Sequence, residues 1–282
     1  MTTTTKPEPQ TRTLPAWTRV LLPILLLSVA LALAAWVARP DGYLRVIFLD
    51  TPGDAILIQT PHGGYVLVDG GSKPSQLTLN LGRRMPFWQR SLAAVILTQG
   101  DGERMPGQVA ALARYRAELA LTPPGVSESA TAREWLRLLE SQDTPIHPAR
   151  GGERLDLDGI LLTVLTAGDG AEAGMVLRLD YGATSVVIHG TTGTPIDEML
   201  LPATAQPITA LAYPWQREID TPLLAAWQPQ AIIFTSAYAA NEPALHTYHE
   251  RALNGAALYH EKLDGTVTLI SDGRRAWIET EK

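Results

Sequence analysis

The sequence predicts a layered α/β domain preceded by a single N-terminal transmembrane helix. Short strand-like runs separated by Gly, Pro and Asp turns alternate with helix-like segments across residues 43–280. Strands interleaved with helices in this way are typical of sheets that are covered by helices. Upstream, the nineteen residues from Val20 to Ala38 carry no charged side chain. Together these two patterns divide the chain into a membrane segment and one α/β domain.

The composition excludes several classes of protein. The chain has 282 residues, 45% of them hydrophobic, and no cysteine. Without cysteine there is no disulfide framework, thiolate metal site or cysteine nucleophile, so a metal would have to be held by His and carboxylate side chains. The 23 Lys and Arg residues against 29 Asp and Glu give a net charge of -6. This balance offers no general attraction to nucleic acid.

The charge-free run predicts a transmembrane helix within residues 17–39. At about 1.5 Å rise per residue, the run nearly matches the ~30 Å hydrocarbon thickness of a bilayer. Trp17 lies just before the run and Trp36 lies near its end, at the depths of the two aromatic belts of a bilayer. The basic residues lie mainly before the run, which predicts a single-pass protein of the cell membrane with an extracytoplasmic C-terminal domain. Residues 1–16 are rich in Thr and Pro and are expected to be disordered. A cleaved signal peptide is the alternative, because small residues close the run.

Within residues 43–280 the hydrophobic periodicity predicts the order of the elements. No long linker divides this segment, so it is expected to form one domain. The predicted strands are 43–49, 55–59, 65–68, 91–98, 161–165, 175–180, 185–188 and 231–235, with a closing hairpin over 257–279. The predicted helices are 108–120, 131–142, 222–227 and 244–253.

Several of these turns and strands resemble the soluble metallo-β-lactamase-fold domain of ComEC-type competence (DNA-uptake) proteins. The motifs similar to that family's opening hairpin are Gly53-Asp54-Ala55-Ile56-Leu57-Ile58-Gln59-Thr60-Pro61 and Leu67-Val68-Asp69-Gly70-Gly71. Val95-Ile96-Leu97-Thr98 is similar to the strand that leads into the family's metal-binding loop. The resemblance implies an αββα sandwich of two sheets with helices outside, covering residues 43–280.

The loop after that strand departs from the family's metal-binding pattern, H-x-D-x-D-H-x-x-G. The aligned residues are Gln99-Gly100-Asp101-Gly102-Glu103-Arg104-Met105-Pro106-Gly107. Gln99 and Arg104 replace the two histidines, and a guanidinium has no lone pair to offer a metal. Thr191 stands where the resemblance places a further carboxylate, and Tyr213-Pro214-Trp215 stands near the expected histidine pair. We therefore expect no resident metal cofactor and a degenerate active site.

The same loop supports two interpretations of Arg104. In the first, Arg104 forms an ion pair with Asp101 or Glu103 that replaces the lost metal charge and keeps the loop's shape. In the second, Arg104 and Gln99 bind an anionic ligand such as a phosphate.

The candidate ligand cleft has four side chains, Asp101, Arg104, His189 and Trp215. His189 is the histidine best placed to coordinate a metal together with Asp101, although a hydrogen-bonded, non-ligand role is favoured. His246 and His249 are three residues apart on a predicted helix, which is weak ligand spacing.

Three functional hypotheses follow. The favoured one is a membrane-anchored, catalytically inactive binding or scaffold module at the cell envelope, with an unknown envelope protein or an anionic ligand as its partner. The alternative is a metal-dependent phosphodiesterase or nuclease linked to DNA uptake, with Zn or Mn at a reduced site of Asp101, Glu103 and His189. The third is nucleic-acid binding without cleavage, favoured only by the basic strip of Arg83, Arg84 and Arg90 and opposed by the net charge.

Overall fold

The computed structural model describes residues 16–37, 39–126, 128–168, 174–191, 200, 208–217, 221–235 and 255–282. The chain forms two compact units, Met1–Arg39 and Pro40–Lys282. The predicted helix over 244–253 and nearly all of the N-terminal tail lie outside the described residues.

In the N-terminal unit the described residues form the helix α1 (Ala16–Val37). It begins four residues before the charge-free run, so Pro23 lies inside the helix. Leu21, Leu25 and Leu27 on this helix are 53%, 59% and 61% exposed. No helix formed by the described residues combines the length and the apolarity that a bilayer crossing requires.

The second unit is built on two large sheets. In spatial order the first sheet contains β17 (Ala276–Thr280), β16 (Val267–Ser271), β1 (Leu44–Phe48), β2 (Ala55–Gln59), β3 (Tyr65–Asp69), β5 (Ala94–Ile96), β7 (Ala120–Thr122) and β8 (Ile146–Pro148). Its strands pair antiparallel from β17 to β3 and parallel from β3 to β8. The strand ends of the parallel half therefore point toward one edge.

The second sheet is also mixed. In spatial order it contains β15 (Ala257–His260), β14 (Ala231–Thr235), β13 (Ala210–Pro214), β12 (Thr184–His189), β11 (Met175–Tyr181), β10 (Ile160–Ala167) and β9 (Arg154–Leu157). Its strands pair parallel from β15 to β12 and antiparallel from β12 to β9. A separate pair joins β4 (Ser91–Leu92) to β6 (Arg116–Ala117).

Helices cover the outer faces of the two sheets. The helices formed by the described residues of this unit are α2 (Pro74–Arg84), α3 (Met105–Leu112), α4 (Ala130–Ser141), α5 (Pro222–Trp227) and the short α6 (Glu261–Asp264). In β2, Ile56 and Ile58 face the second sheet, whereas Leu57 packs toward the layer of α2, α3 and α4. Because both faces of this strand are buried, its sequence is apolar without alternation. Leu223 and Trp227 of α5 pack on the second sheet. The layered α/β prediction is confirmed.

Local signals fix the helix ends. Pro74 occupies the first turn of α2, where its missing N–H costs nothing, and Arg83 and Arg84 lie in the last turn. The Ser129 hydroxyl accepts a hydrogen bond from the N–H of Ala132 at 3.1 Å, which caps α4. Thr221 caps α5 in the same way.

Two predicted elements are wrong in extent. The strand over 91–98 is divided at Ala93, with β4 pairing to β6 and β5 entering the first sheet. The helix over 108–120 ends at Leu112, and the chain continues as β6 and β7. The N–H of Arg116 donates to the carbonyl of Arg90 at 2.8 Å rather than to a carbonyl one helical turn earlier. Tertiary strand pairing therefore outweighs the helical periodicity of this segment.

The closing hairpin over 257–279 is also corrected. Within residues 257–279, the antiparallel hairpin consists of β16 and β17, without the segment that precedes them. The segment Ala257–His260 instead lies parallel to β14 at the edge of the second sheet. The chain therefore passes from one sheet to the other through α6, which short-range periodicity does not reveal.

Candidate functional site

The candidate site lies where loops from the two sheets meet. The N–H of Met175, at the start of β11, donates to the carbonyl of Thr98 at 2.9 Å, and the N–H of Gly190 donates to the carbonyl of Met175 at 3.0 Å. A Cβ atom on Gly190 would lie 2.4 Å from the Cβ of Thr98. Only glycine fits at this position, so the loop after β12 lies directly against the Thr98 side chain of the loop after β5.

Glycines also let the loop after β5 lie against two turns of the first sheet. A Cβ on Gly53 would lie 2.2 Å from the carbonyl oxygen of Glu103, and the φ of Gly53 is +84°. The N–H of Gly107 donates to the carbonyl of Gly71 at 3.0 Å. These close approaches explain the glycines of the two motifs and bring Asp54 and Asp69 beside the loop.

Arg104 is the centre of this loop. It is 4% exposed, and its guanidinium is surrounded by acceptors. One terminal nitrogen donates to Gln99 Oε1 and to Asp101 Oδ2, both at 2.8 Å, and the other donates to Asp54 Oδ2 at 3.1 Å. Arg104 Nε lies 3.5 Å from Asp69 Oδ2. The guanidinium therefore bridges three carboxylates that come from three different turns.

The carboxylates around Arg104 are themselves held in place. Asp69 Oδ1 and Oδ2 accept hydrogen bonds from the N–H and hydroxyl of Thr98 at 2.8 and 2.5 Å. Asp101 Oδ1 accepts from the N–H groups of Glu103 and Arg104, both at 2.9 Å, which shapes the turn into α3. Glu103 is exposed and forms no ion pair in the described part of the chain.

Electrostatics in this cluster follow from its charge imbalance, since one guanidinium faces three carboxylates. Burial raises the pKa of Asp69 to about 7, although Arg104 and the hydrogen bonds from Thr98 oppose the shift. Burial by itself lowers the pKa of Arg104, but Asp54, Asp69 and Asp101 together raise it above its ordinary value. Arg104 therefore stays charged, while Asp69 can take up a proton near neutral pH.

Glu261 is a buried carboxylate that the sequence analysis missed. It is 1% exposed, and neither of its carboxylate oxygens has a hydrogen-bond partner among the described residues. Burial raises its pKa well above the ordinary value, and the nearby charges of Asp54 and Asp50 raise it further. No sequence motif marks Glu261, which directly follows the edge strand β15.

A second cluster lies at the ends of β12 and β13. His189 is buried, with Nδ1 3.0 Å from the carbonyl oxygen of Thr191 and its ring packed edge-on against Tyr213. Arg217, 7% exposed, donates from Nε to the Tyr213 hydroxyl at 3.2 Å and from a terminal nitrogen to the Thr191 carbonyl at 3.3 Å. Arg217 is also absent from the predicted site, since a lone charged residue after a strand belongs to no motif.

Trp215 is part of the core rather than of an open cleft. Its ring packs edge-on against Phe234 at 5.0 Å and against His260 at 5.2 Å, and it is 5% exposed. Of the four predicted cleft residues, the structure joins Asp101 directly to Arg104 and places His189 and Trp215 in other groups. Among the described residues, no set of three or more His, Asp or Glu side chains is arranged to hold a metal ion. His246 and His249 lie outside those residues.

Known structures share this architecture. No protein-family model and no curated protein matches the sequence. The metallo-β-lactamase-fold protein YhfI from Bacillus subtilis is 12% identical, with a TM-score of 0.57 over 84% of this chain and 100% of that chain. A diphosphatase from the PhnP family is 13% identical, with a TM-score of 0.52 over 81% of this chain and 98% of that chain. CmlA, a diiron β-hydroxylase from Streptomyces venezuelae, is 10% identical, with a TM-score of 0.52 over 76% of this chain and 52% of that chain.

At these identities the comparisons show the fold alone. The domain has a metallo-β-lactamase-like fold, which confirms the predicted αββα sandwich. The similarity is to the fold in general and is not specific to ComEC-type domains.

Proposed function

We propose that this metallo-β-lactamase-fold protein is a catalytically inactive, membrane-anchored relative of the ComEC soluble domain that acts as a binding or scaffold module at the cell envelope. The observation that carries the inactive assignment is the buried Arg104, ion-paired with Asp54 and Asp101 at the loop where the resemblance places metal ligands. The link to competence rests on the sequence resemblance alone.

The donor set of the loop does not fit a metal ion. A hydrolytic metal centre needs several free nitrogen or oxygen donors and an open coordination position. Here Gln99 Oε1 and Asp101 Oδ2 accept hydrogen bonds from Arg104, and Asp101 Oδ1 accepts from two backbone N–H groups. A cation bound at these oxygens would also meet the permanent charge of the guanidinium. These contacts favour the ion-pair interpretation of Arg104 over the anion-binding one.

Metal analysis of the purified full-length chain after incubation with Zn or Mn tests this assignment. We expect less than stoichiometric metal, and stoichiometric Zn or Mn would overturn it. The double variant Gln99→His and Arg104→His is the matched positive control, because it restores the two imidazole donors of the family pattern. It should bind more metal than Gln99→Asn with Arg104→Gln, which removes the same charge without adding imidazoles.

The membrane anchor is a proposal that the sequence supports. The charge-free run from Val20 to Ala38 and the exposed leucines of α1 favour a single-pass anchor, with the second unit outside the cytoplasm. A signal peptide that is cleaved is the competing interpretation. Mass measurement of the protein isolated from whole cells separates the two, because a cleaved chain lacks the mass of the N-terminal segment.

The second candidate function is a metal-dependent phosphodiesterase or nuclease linked to DNA uptake, with Zn or Mn at a reduced site of Asp101, Glu103 and His189. It is favoured by the partial exposure of Asp101, whose side chain is 32% accessible. A Zn- or Mn-dependent cleavage of a phosphodiester or a single-stranded oligonucleotide that is lost in both Asp101→Asn and Glu103→Gln would establish it. Glu103→Gln is the informative variant, since Glu103 makes no contact with Arg104 that the substitution would break.

A further inference from the structure

The loop from Pro86 to Arg90, between α2 and β4, carries two exposed aromatic side chains. Phe87 is 68% exposed and Trp88 is 43% exposed, and their rings pack edge to face with centroids 4.8 Å apart. We call these two residues the aromatic tip. Large apolar rings at a loop tip are costly in water, so their exposure points to a partner that covers them.

The aromatic tip stands on an anchored base. On the helix side, Met85 is buried and its N–H donates to the carbonyl of Leu81 at 2.8 Å. On the strand side, the Gln89 amide donates to the carbonyl of Ser91 at 2.7 Å. Both ends of the loop are therefore fixed to the fold, and the two rings are held outward.

Four exposed arginines lie in this loop or on the segments next to it, and we call them the arginine patch. They are Arg83, Arg90, Arg114 and Arg116. Arg83 and Arg114 line one open surface cavity with Leu79. The N–H of Arg116 donates to the carbonyl of Arg90 at 2.8 Å, so these two lie side by side.

The arginine patch forms no ion pair with the described residues. In the described part of the chain, none of the four guanidiniums lies within ion-pair distance of a carboxylate. Arg84, which lies next to the patch, is instead paired with Glu281. Glu118 is an exposed carboxylate on the neighbouring segment, so a positive excess remains. This local excess contrasts with the net charge of -6 of the whole chain.

We propose that the aromatic tip and the arginine patch form a docking surface for a membrane that contains anionic lipids. Trp and Phe side chains enter the interfacial region of a bilayer, and nearby arginines bind the phosphate groups of anionic lipids. A surface for single-stranded nucleic acid would offer successive open ring faces for stacking, whereas the face of one ring here is covered by the edge of the other.

The docking surface extends the proposed function and rests on one part of it, the membrane anchor. A membrane anchor keeps the domain near a bilayer, and a second, weaker contact then sets how the domain approaches it. Stable membrane attachment of peripheral segments commonly combines two such signals.

Because the chain contains no cysteine, single spin labels can be placed in the full-length protein. Labels are attached at Phe87→Cys in the aromatic tip, at Leu161→Cys on β10 as an exposed control, and at Leu26→Cys in α1 as a report on the anchor. Each protein is reconstituted in vesicles of phosphatidylcholine alone and of phosphatidylcholine with phosphatidylglycerol in equal parts. Collision with oxygen measures contact with lipid, and collision with a water-soluble nickel chelate measures contact with water.

We expect the label at Phe87→Cys to be lipid-exposed on the anionic vesicles and the label at Leu161→Cys to stay in water on both. Arg83→Gln with Arg90→Gln should reduce the ratio of inserted to free loop about fivefold per arginine. Arg150→Gln with Arg154→Gln removes the same charge elsewhere and should leave the ratio unchanged.

The outcomes separate this proposal from the anchor. In one outcome the label at Leu26→Cys is lipid-exposed, and on both kinds of vesicle the label at Phe87→Cys collides with the nickel chelate as often as the control label at Leu161→Cys does. The docking surface is then wrong and the anchor stands. If the label at Phe87→Cys inserts while the label at Leu26→Cys remains in water, the anchor is wrong and the docking surface stands. Immobilisation of the label at Phe87→Cys by a single-stranded oligonucleotide, with no insertion into anionic vesicles, would overturn the lipid proposal in favour of nucleic acid.

Discussion

Among the residues that the structure describes, two arginines are buried near strand ends, and the fold accommodates them in different ways. Arg104 lies among the carboxylates of Asp54, Asp69 and Asp101. The described partners of Arg217 are neutral: a phenol hydroxyl, a backbone carbonyl and the ring of Tyr213, whose centroid lies 5.4 Å from the guanidinium carbon.

The described contacts of Arg104 are mainly ion pairs, whereas those of Arg217 are with neutral groups. Around Arg104 the carboxylates come from turns that are distant in sequence, so the guanidinium joins these turns as a metal ion would. Around Arg217 the described contacts are two hydrogen bonds and a cation–π contact, all with residues at the ends of β12 and β13. Removing Arg104 therefore leaves buried charges unpaired, whereas removing Arg217 leaves a hydroxyl and a carbonyl among the described residues unsatisfied.

The largest effect is expected for Arg104→Met, which keeps the side-chain length and removes the charge. Breaking a buried ion pair from one side typically costs about 3–5 kcal/mol, because the remaining carboxylates stay buried without a cation. Urea denaturation of the full-length chain at pH 7 measures this loss. A cost below about 1 kcal/mol would show that the carboxylates are hydrated or protonated without Arg104, and that the cluster does not hold the turns together.

The second prediction concerns pH and Asp69. Its pKa of about 7 in the folded state lies above the ordinary value of 3.8, so the folded chain holds this proton more tightly than the unfolded chain. The resulting stability is complete below about pH 4 and is lost as the pH rises to about 7, with a slope of at most ~1.4 kcal/mol per pH unit from this group.

Asp69→Asn isolates this contribution. The amide keeps the shape and does not titrate, so the difference in unfolding free energy between the two proteins should change with pH between about 4 and 7 and be constant above. Parallel pH profiles for the two proteins would contradict the assignment. The comparison excludes Glu261, since its raised pKa is common to both proteins.

Sequence reasoning found the cluster of Arg104 only in part. Asp101 and Arg104 are three residues apart, so their pairing follows from local spacing, and Gln99 comes with the same loop. Asp54 and Asp69 belong to the two motifs that carry the family resemblance. The sequence around them does not reveal that the turns at Gly53 and Gly71 place these carboxylates against Arg104. Arg217 and Glu261 could not be found, because their burial is set by strand pairing between distant segments. The fold was easier to predict, since its apolar strands and capped helices leave a periodic pattern.

A smaller loss of stability is expected for Arg217→Leu. Its partners among the described residues are a hydroxyl, a carbonyl and a ring, and leaving these groups unsatisfied costs about 1–3 kcal/mol. The same urea measurement gives this value, and Arg217→Lys separates charge from geometry, since an ammonium cannot reach both acceptors with a planar fork. A loss as large as that of Arg104→Met would mean that Arg217 also neutralises a carboxylate, and the distinction between the two arginines would fail.

The smallest loss of stability is expected for Arg137→Ala, which breaks a surface ion pair with the same sequence spacing and a similar distance to the pair of Arg104 and Asp101. Arg137 and Glu134 are also three residues apart, with a separation of 2.7 Å against 2.8 Å for Arg104 and Asp101. The difference is burial, because the side chains of Arg137 and Glu134 are 60% and 45% exposed, whereas that of Arg104 is 5% exposed. Water solvates each partner of the surface pair once the other is removed, so Arg137→Ala should leave the urea midpoint unchanged. If Arg137→Ala instead destabilised the domain as Arg104→Met does, pair geometry rather than burial would control the energy, and the comparison between the two sites would lose its physical basis.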